Sequence, residues 1–306
     1  MAIGRPEGTT VTVPFEAVAR GDARFPPSTG PDMTGNPLDP VARVGPGGIL
    51  DGAFGLLRFR IGRLVGLTAV LFLPVQLVGL AVALASPTVA ASSTSDPFGG
   101  GALDAASSTG SLWAVALLLL RSLALGLLGA GVGHLVAGWW SGRDAPFGEV
   151  FGQMFRRSPA VLVVVVLSAA VKVPLLCLGG VGWLLADASL FVANVVVGAE
   201  RRGPLAAIGR SFRLTRAVYG TALVVVFGGL VITQVLQVAL VAGPILLVAS
   251  FQPPDGWLLA LEQVTSLVLL VVMPLTACIA ARAYVELRCR VEGIDLVRWQ
   301  ERRGLG

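Results

Sequence analysis

Apolar residues in this chain do not alternate with polar ones; they run in blocks. Six blocks are long enough to cross a bilayer core of about 30 Å, which takes roughly 20 residues of helix. They cover approximately 64–85, 112–140, 159–178, 181–199, 218–250 and 258–283. The second and fifth exceed one crossing, so they are expected to tilt, kink or run past the bilayer. The third and fourth meet at Gly179–Gly180 with almost no loop. The predicted fold is an all-α membrane protein, a six-helix transmembrane bundle.

Three stretches between the blocks have a helical rather than a continuous pattern. "GGILDGAFGLLRFR", "APFGEVFGQMFRR" and "GPLAAIGRSFRLTR" precede the first, third and fifth blocks. Leu50, Phe54 and Leu57, then Phe147, Phe151 and Met154, then Leu205, Ile208 and Phe212 recur at i, i+3/i+4 spacing, and arginines follow. The spacing predicts short amphipathic interfacial helices on the cytosolic side, with arginines toward lipid phosphates. It also suggests a threefold unit of short helix plus span. Any basic inner loop of a membrane protein has a similar look, so that alternative stays open.

Composition agrees with the pattern. Of the 306 residues, 55% are apolar and 13% charged, with a mean hydropathy of +0.80. A soluble domain carries about 25% charged residues. The net charge of +5 is carried by arginines split among short loops, with Lys172 the one lysine, and no basic–aromatic module for nucleic acid is present. Such residue usage suits a bacterial coding sequence rich in G and C.

Arginine placement sets the orientation. Arg58, Arg60 and Arg63 precede the first block; Arg143, Arg156 and Arg157 follow the second. Arg201, Arg202, Arg210, Arg213 and Arg216 follow the fourth, and Arg288, Arg290, Arg298, Arg302 and Arg303 the sixth. The segments 86–110 and 251–256 contain no Arg or Lys. Both termini are therefore expected in the cytoplasm and the protein in a bacterial plasma membrane, multi-pass. Residues 1–46, rich in Pro, Gly and Thr, lack the basic and apolar regions of a signal peptide and read as a disordered cytosolic tail. Residues 47–297 form the membrane domain, and 298–306 a short cytosolic tail.

The last block runs into "AYVELRCRVEGIDLVRW". That pattern resembles the terminus of a poorly characterised bacterial membrane family similar to the membrane domain of glycerophosphoryl diester phosphodiesterases. "ILDGAFGLLR" resembles the family's opening segment and "VVVGAERRGPLAAIGRSFRLTR" its central one. The matching positions are Glu200, Arg210, Ser211, Leu214, Tyr284, Arg288, Arg290, Glu292, Gly293 and Asp295. In those enzymes the chemistry belongs to a separate soluble barrel, and nothing in this chain is like it, so the resemblance implies no diesterase activity.

On a continuous helix Arg288, Glu292 and Asp295 fall at i, i+4 and i+7, on one face suited to ion pairing. They could instead meet Arg210 or Arg213 of the preceding loop and lock the cytosolic ends together, with Glu200 and Arg290 in the same network. A solvated charged helix end and a headgroup site are the alternatives.

Four ionisable residues lie in the outer half of the apolar blocks: Arg121, Lys172, Asp187 and Glu262. A charge at a helix centre costs about 2.5–3.5 kcal/mol on insertion scales and usually has a partner or a function. At 1.5 Å per residue, Arg121 lies ~14 Å and Asp187 ~9 Å into their spans. Arg121 with Asp187 is the expected pair, with Glu262 as the second choice of carboxylate. Alternatively Arg121, Lys172 and Asp187 line an outward polar pocket for an anion. His134 has no acidic neighbour in sequence and reads as a packed residue. Gly126, Gly129 and Gly133 form a small-residue stripe for close helix packing, or for dimerisation.

No P-loop, zinc motif or nucleophile elbow occurs. The cysteines Cys177, Cys278 and Cys289 are few and far apart. No cofactor, metal or catalysis is expected. The function that remains is a non-catalytic scaffold or accessory protein whose basic inner face contacts anionic lipid, a protein partner or a second copy of itself. A small transporter or lipid-handling protein is the alternative.

Overall fold

The structure is a computed structural model describing residues 45–85, 109–141, 143–176, 180–244, 247, 267 and 269–293. Every described element is helical. In chain order they are α1 (Pro46–Phe59), α2 (Ile61–Ala85), α3 (Thr109–Trp140), α4 (Phe147–Arg156), α5 (Ser158–Leu176), α6 (Val181–Leu190), α7 (Ala193–Ala199), α8 (Pro204–Arg216), α9 (Tyr219–Gln237) and α10 (Leu269–Glu292). A π-turn, Val238–Ala242, continues α9. The tails expected at 1–46 and 298–306 lie outside the described residues but for 45 and 46.

Five stretches are long and apolar enough to cross a membrane: Ile61–Gly79, Leu118–Trp140, Ser158–Leu175, Val181–Ala199 and Tyr219–Leu240. The fourth comprises α6 and α7, which meet at Phe191–Val192. Gly180, at φ 81°, begins α6 in a left-handed conformation open to glycine at little cost, which suits a turn this tight. The sixth expected block corresponds in part to α10, which runs nine residues beyond its predicted end at 283.

Each of α1, α4 and α8 is followed at once by a long apolar helix. The first break is Arg60, at φ −138° and ψ 42°. The third is Val218, at φ −140° and ψ 46°, nearly the same conformation. The second is Arg157, at φ −97° and ψ 1°. Proline begins both α1 and α8, where its fixed φ is pre-set for a first helical turn.

The buried faces of α1 and α8 share one register, Ile49, Ala53 and Leu56 against Ala207, Ser211 and Leu214; α4 buries Val150 and Met154. This shifts the apolar stripes read from the sequence. Phe54, Phe147, Leu205 and Phe212 are exposed, although Met154 is buried and Leu50, Leu57 and Ile208 pack against the core. Small or medium-sized residues fit the close approach of helix to bundle, and the large aromatics turn outward.

Two long helices form the centre. In α3, 67% of the apolar stretch is buried inside the protein, against 11% in α5 and 17% in α9. The small-residue stripe of α3 lets α7 come to backbone contact. A methyl group at Gly198 would overlap the carbonyl oxygen of Ala130, and one at Gly133 the carbonyl oxygen of Val195. One at Gly126 would meet Val161 of α5 at 2.8 Å. The second central helix is α10, buried continuously from Ala281 to Cys289 and packed against α1, α3, α2 and α9.

Candidate functional site

The arginine-rich end of the bundle is organised by α10. Its last three turns hold two rows of side chains at i, i+4, i+8: Tyr284, Arg288 and Glu292, and Arg282, Glu286 and Arg290. At 100° per residue, a two-residue offset puts the rows about 160° apart, on nearly opposite faces. One helix thus presents charge to two sets of neighbours.

The first row meets Glu200, at the end of α7. The Glu200 carboxylate accepts the Tyr284 hydroxyl at 2.9 Å, Arg210 Nε at 3.1 Å and Arg202 Nε at 2.6 Å. Arg210 of α8 also donates to Glu292, which accepts Arg288 Nε at 2.8 Å. Arg288 Nη1 donates to the Tyr284 oxygen at 3.3 Å, closing the ring of contacts. The chain reaches this geometry through Arg201, whose φ of 52° lies in the left-handed region and turns it from α7 toward α8.

Burial by itself pushes the Glu200 carboxyl up. Arg210 and Arg288, with the Tyr284 hydrogen bond, outweigh it and hold the group below the usual carboxylate range. Burial likewise disfavours the Arg210 cation, and Glu200 and Glu292 more than restore it.

The second row faces α1 and α9. Glu286, 2% exposed, accepts Arg290 Nε at 2.8 Å, and Arg290 Nη1 reaches Thr221 Oγ1 at 3.4 Å. Arg282 is 6% exposed and lies across Gly52 of α1, where a methyl group would come within 2.6 Å of its Nε.

A third cluster joins the α1–α2 break to the segment after α3. Asp144 accepts Arg60 Nη2 at 3.0 Å, Trp139 Nε1 at 3.1 Å and Arg63. Slight burial raises its carboxyl, but the Trp139 and Arg63 hydrogen bonds and the Arg60 charge leave it lowered. Next to it, Glu149 of α4 accepts Arg143 Nη2 at 2.8 Å and stands 3.5 Å from His134 Nε2. His134 therefore does have an acidic neighbour, supplied by tertiary packing and invisible in the local sequence.

The structure thus brings Glu200, Arg210, Arg288 and Glu292 into one network, with Arg290 paired to Glu286 in the adjacent row. Arg213 is exposed. Asp295 and Glu262 lie outside the described residues. Near the other end, Asp187 pairs with Lys172, and not with Arg121 as expected. The reason is connectivity: α5 and α6 form a hairpin through Gly180, which sets the two side chains 15 residues apart at similar depth. Arg121 is exposed on α3.

Sequence reasoning missed Arg282 and Glu286 as members of the site. Their signal was the spacing 282, 286, 290, alongside 284, 288, 292, at the end of a block otherwise read as apolar.

What this arrangement can do chemically is hold helices together and present cations. Its carboxylates are engaged by guanidinium groups. Among the described residues, no group of three or more His, Cys, Asp and Glu side chains could hold a metal ion. No family model matches the chain, nor does any curated protein or solved structure.

Proposed function

We propose that this protein is a non-catalytic, multi-pass membrane scaffold whose arginine-rich, cytosolic face binds the anionic surface of the inner leaflet and serves as a platform there. One observation carries the reading. The short helices α1, α4 and α8 each place an outward aromatic (Phe54, Phe147 or Phe212) on the same element as exposed arginines such as Arg58, Arg156, Arg213 and Arg216. Aromatic rings at the acyl boundary and guanidinium groups at phosphate level are what an interfacial helix presents to lipid.

The plasma membrane, the inward termini and the sixth span belong to this proposal, as does kinship to the family with the phosphodiesterase-like membrane domain. The positions that carry that resemblance support it in one respect. Glu200, Arg210, Tyr284, Arg288 and Glu292 all lie in the partly buried network, as expected of residues that define a framework. An outward anion pocket is less well supported, because Lys172 and Asp187 neutralise each other directly.

The test is thermal unfolding in nanodiscs of phosphatidylcholine alone and with phosphatidylglycerol added. Each basic residue near an anionic surface contributes about 1 kcal/mol. The wild type should be more stable with phosphatidylglycerol. The variant with Arg58, Arg156, Arg213 and Arg216 all replaced by Gln should lose most of that difference. Equal stability of the wild type in both lipids would defeat the proposal.

A further inference from the structure

The second row of α10 contains an arginine whose donors are not used. Arg282 is 6% exposed, and its Nε and Nη1 are buried without a hydrogen-bond partner. The carboxylate one turn further along, Glu286, accepts Arg290 Nε at 2.8 Å and acts on Arg282 through its charge, with no hydrogen bond between them. Asp51, beside Gly52 on α1, is exposed. The other buried arginine of this helix, Arg288, has Glu292 and Tyr284 as acceptors. A buried guanidinium with unmet N–H groups is costly to keep unless an anion joins it.

Position narrows what that anion is. Arg282 is six residues from Arg288 toward the apolar end of α10, ~9 Å along the axis. It is covered by α1, the short helix that carries exposed Phe54 and Arg58 and leads directly into the span α2. Gly52 is what allows α1 to lie over the Arg282 stem, since a side chain there would collide with it. In the membrane orientation proposed above, this places the guanidinium just below the headgroup layer of one leaflet. Phosphate oxygens are the acceptors that guanidinium groups favour.

We propose that Arg282, beneath Gly52 of α1, is a specific binding site for one phosphate group, supplied by an anionic phospholipid headgroup or by free phosphate. The inference rests on the membrane-scaffold reading only for the source of the phosphate. Because the guanidinium is buried under a helix, exchange is slow, and the bound group survives purification.

Native mass spectrometry tests this on the full chain, purified in phosphate-free buffer and neutral detergent, then offered phosphatidylglycerol, phosphatidylcholine or inorganic phosphate. The expected result is one retained phosphatidylglycerol per chain. Arg282→Gln should lower that retention at least tenfold, whereas Gly152→Ala, at an exposed position of α4 with open space around it, should leave it intact. Stoichiometric binding of inorganic phosphate, lost in Arg282→Gln, with no retained lipid, would support the site and assign the free ion as its source. If Arg282→Gln does not fold, Gly52→Ala displaces the Arg282 side chain while keeping its charge, and the same tenfold loss is expected.

Retention that is unchanged in these variants, or wild-type protein that holds neither phosphate species, overturns the proposal. The scaffold reading fails separately. Its failure appears as equal stability in neutral and anionic nanodiscs while a single Arg282-dependent phosphate persists.

Discussion

Glu200 shows how a single residue can tie the protein together. Its carboxylate accepts from Tyr284, Arg210 and Arg202, side chains of α10, of α8 and of the turn between α7 and α8. Removing one partner of a buried ion pair costs about 3–5 kcal/mol, because the groups left behind stay buried and unmet. Glu200→Gln should therefore destabilise the protein by an amount of that order, read from unfolding in detergent. The pH dependence follows from the lowered Glu200 pKa. A carboxyl with a depressed folded pKa contributes its full stability above the unfolded value, about 4.3 for Glu. That contribution disappears as pH falls through the folded value. Between pH 7 and pH 3 the wild type should lose stability more steeply than Glu200→Gln. Parallel losses would mean that Glu200 is not what makes the fold acid-sensitive.

Among the elements, α10 and the α3–α7 contact decide the architecture. The α10 helix resembles a transmembrane span over its first half and a charged connector over its second. Its charged half is nonetheless buried, because α1 and α9 cover one row and α7 and α8 the other. It ends at Gly293, whose φ of 63° and backbone N–H, donating to the Cys289 carbonyl oxygen at 3.0 Å, form a left-handed helix cap. The α3–α7 contact depends on small residues on both sides. Gly198→Ala would force its methyl group into the Ala130 carbonyl, so the helices must separate. Overpacking of this kind typically costs 1–3 kcal/mol. Gly152→Ala, at a position with open space around it, is the control and should be near neutral. A Gly198→Ala protein that melts with the control would show that the approach of α3 and α7 is not fixed at this point.

For the whole molecule, the arginine-rich end holds α1, α4 and α8 and the charged half of α10. The proposed orientation rests on the arginine-free segments at 86–110 and 251–256. With the native cysteines replaced, a membrane-impermeant thiol reagent added to intact cells should label a cysteine at Ser93. It should not label one at Ala206, an exposed position of α8. Labelling at Ala206 alone would invert the topology.

The pattern of blocks was enough to predict helices of membrane-crossing length and the three short helices ahead of α2, α5 and α9; charge and spacing pointed to Arg210, Arg288 and Glu292, and Glu200 came from the family resemblance. Block length, helical spacing and charge are local properties, and each follows from the chain without knowing its neighbours. Only the tertiary structure decided partners and facing. It turned Phe54, Phe147 and Phe212 outward and gave Asp187 to Lys172. It placed Glu149 beside His134, and it left Arg282 buried under Gly52 with donors unmet. These depend on which helices lie side by side and at what depth. A pairing across 84 residues, such as Tyr284 with Glu200, leaves no trace in the spacing of either segment.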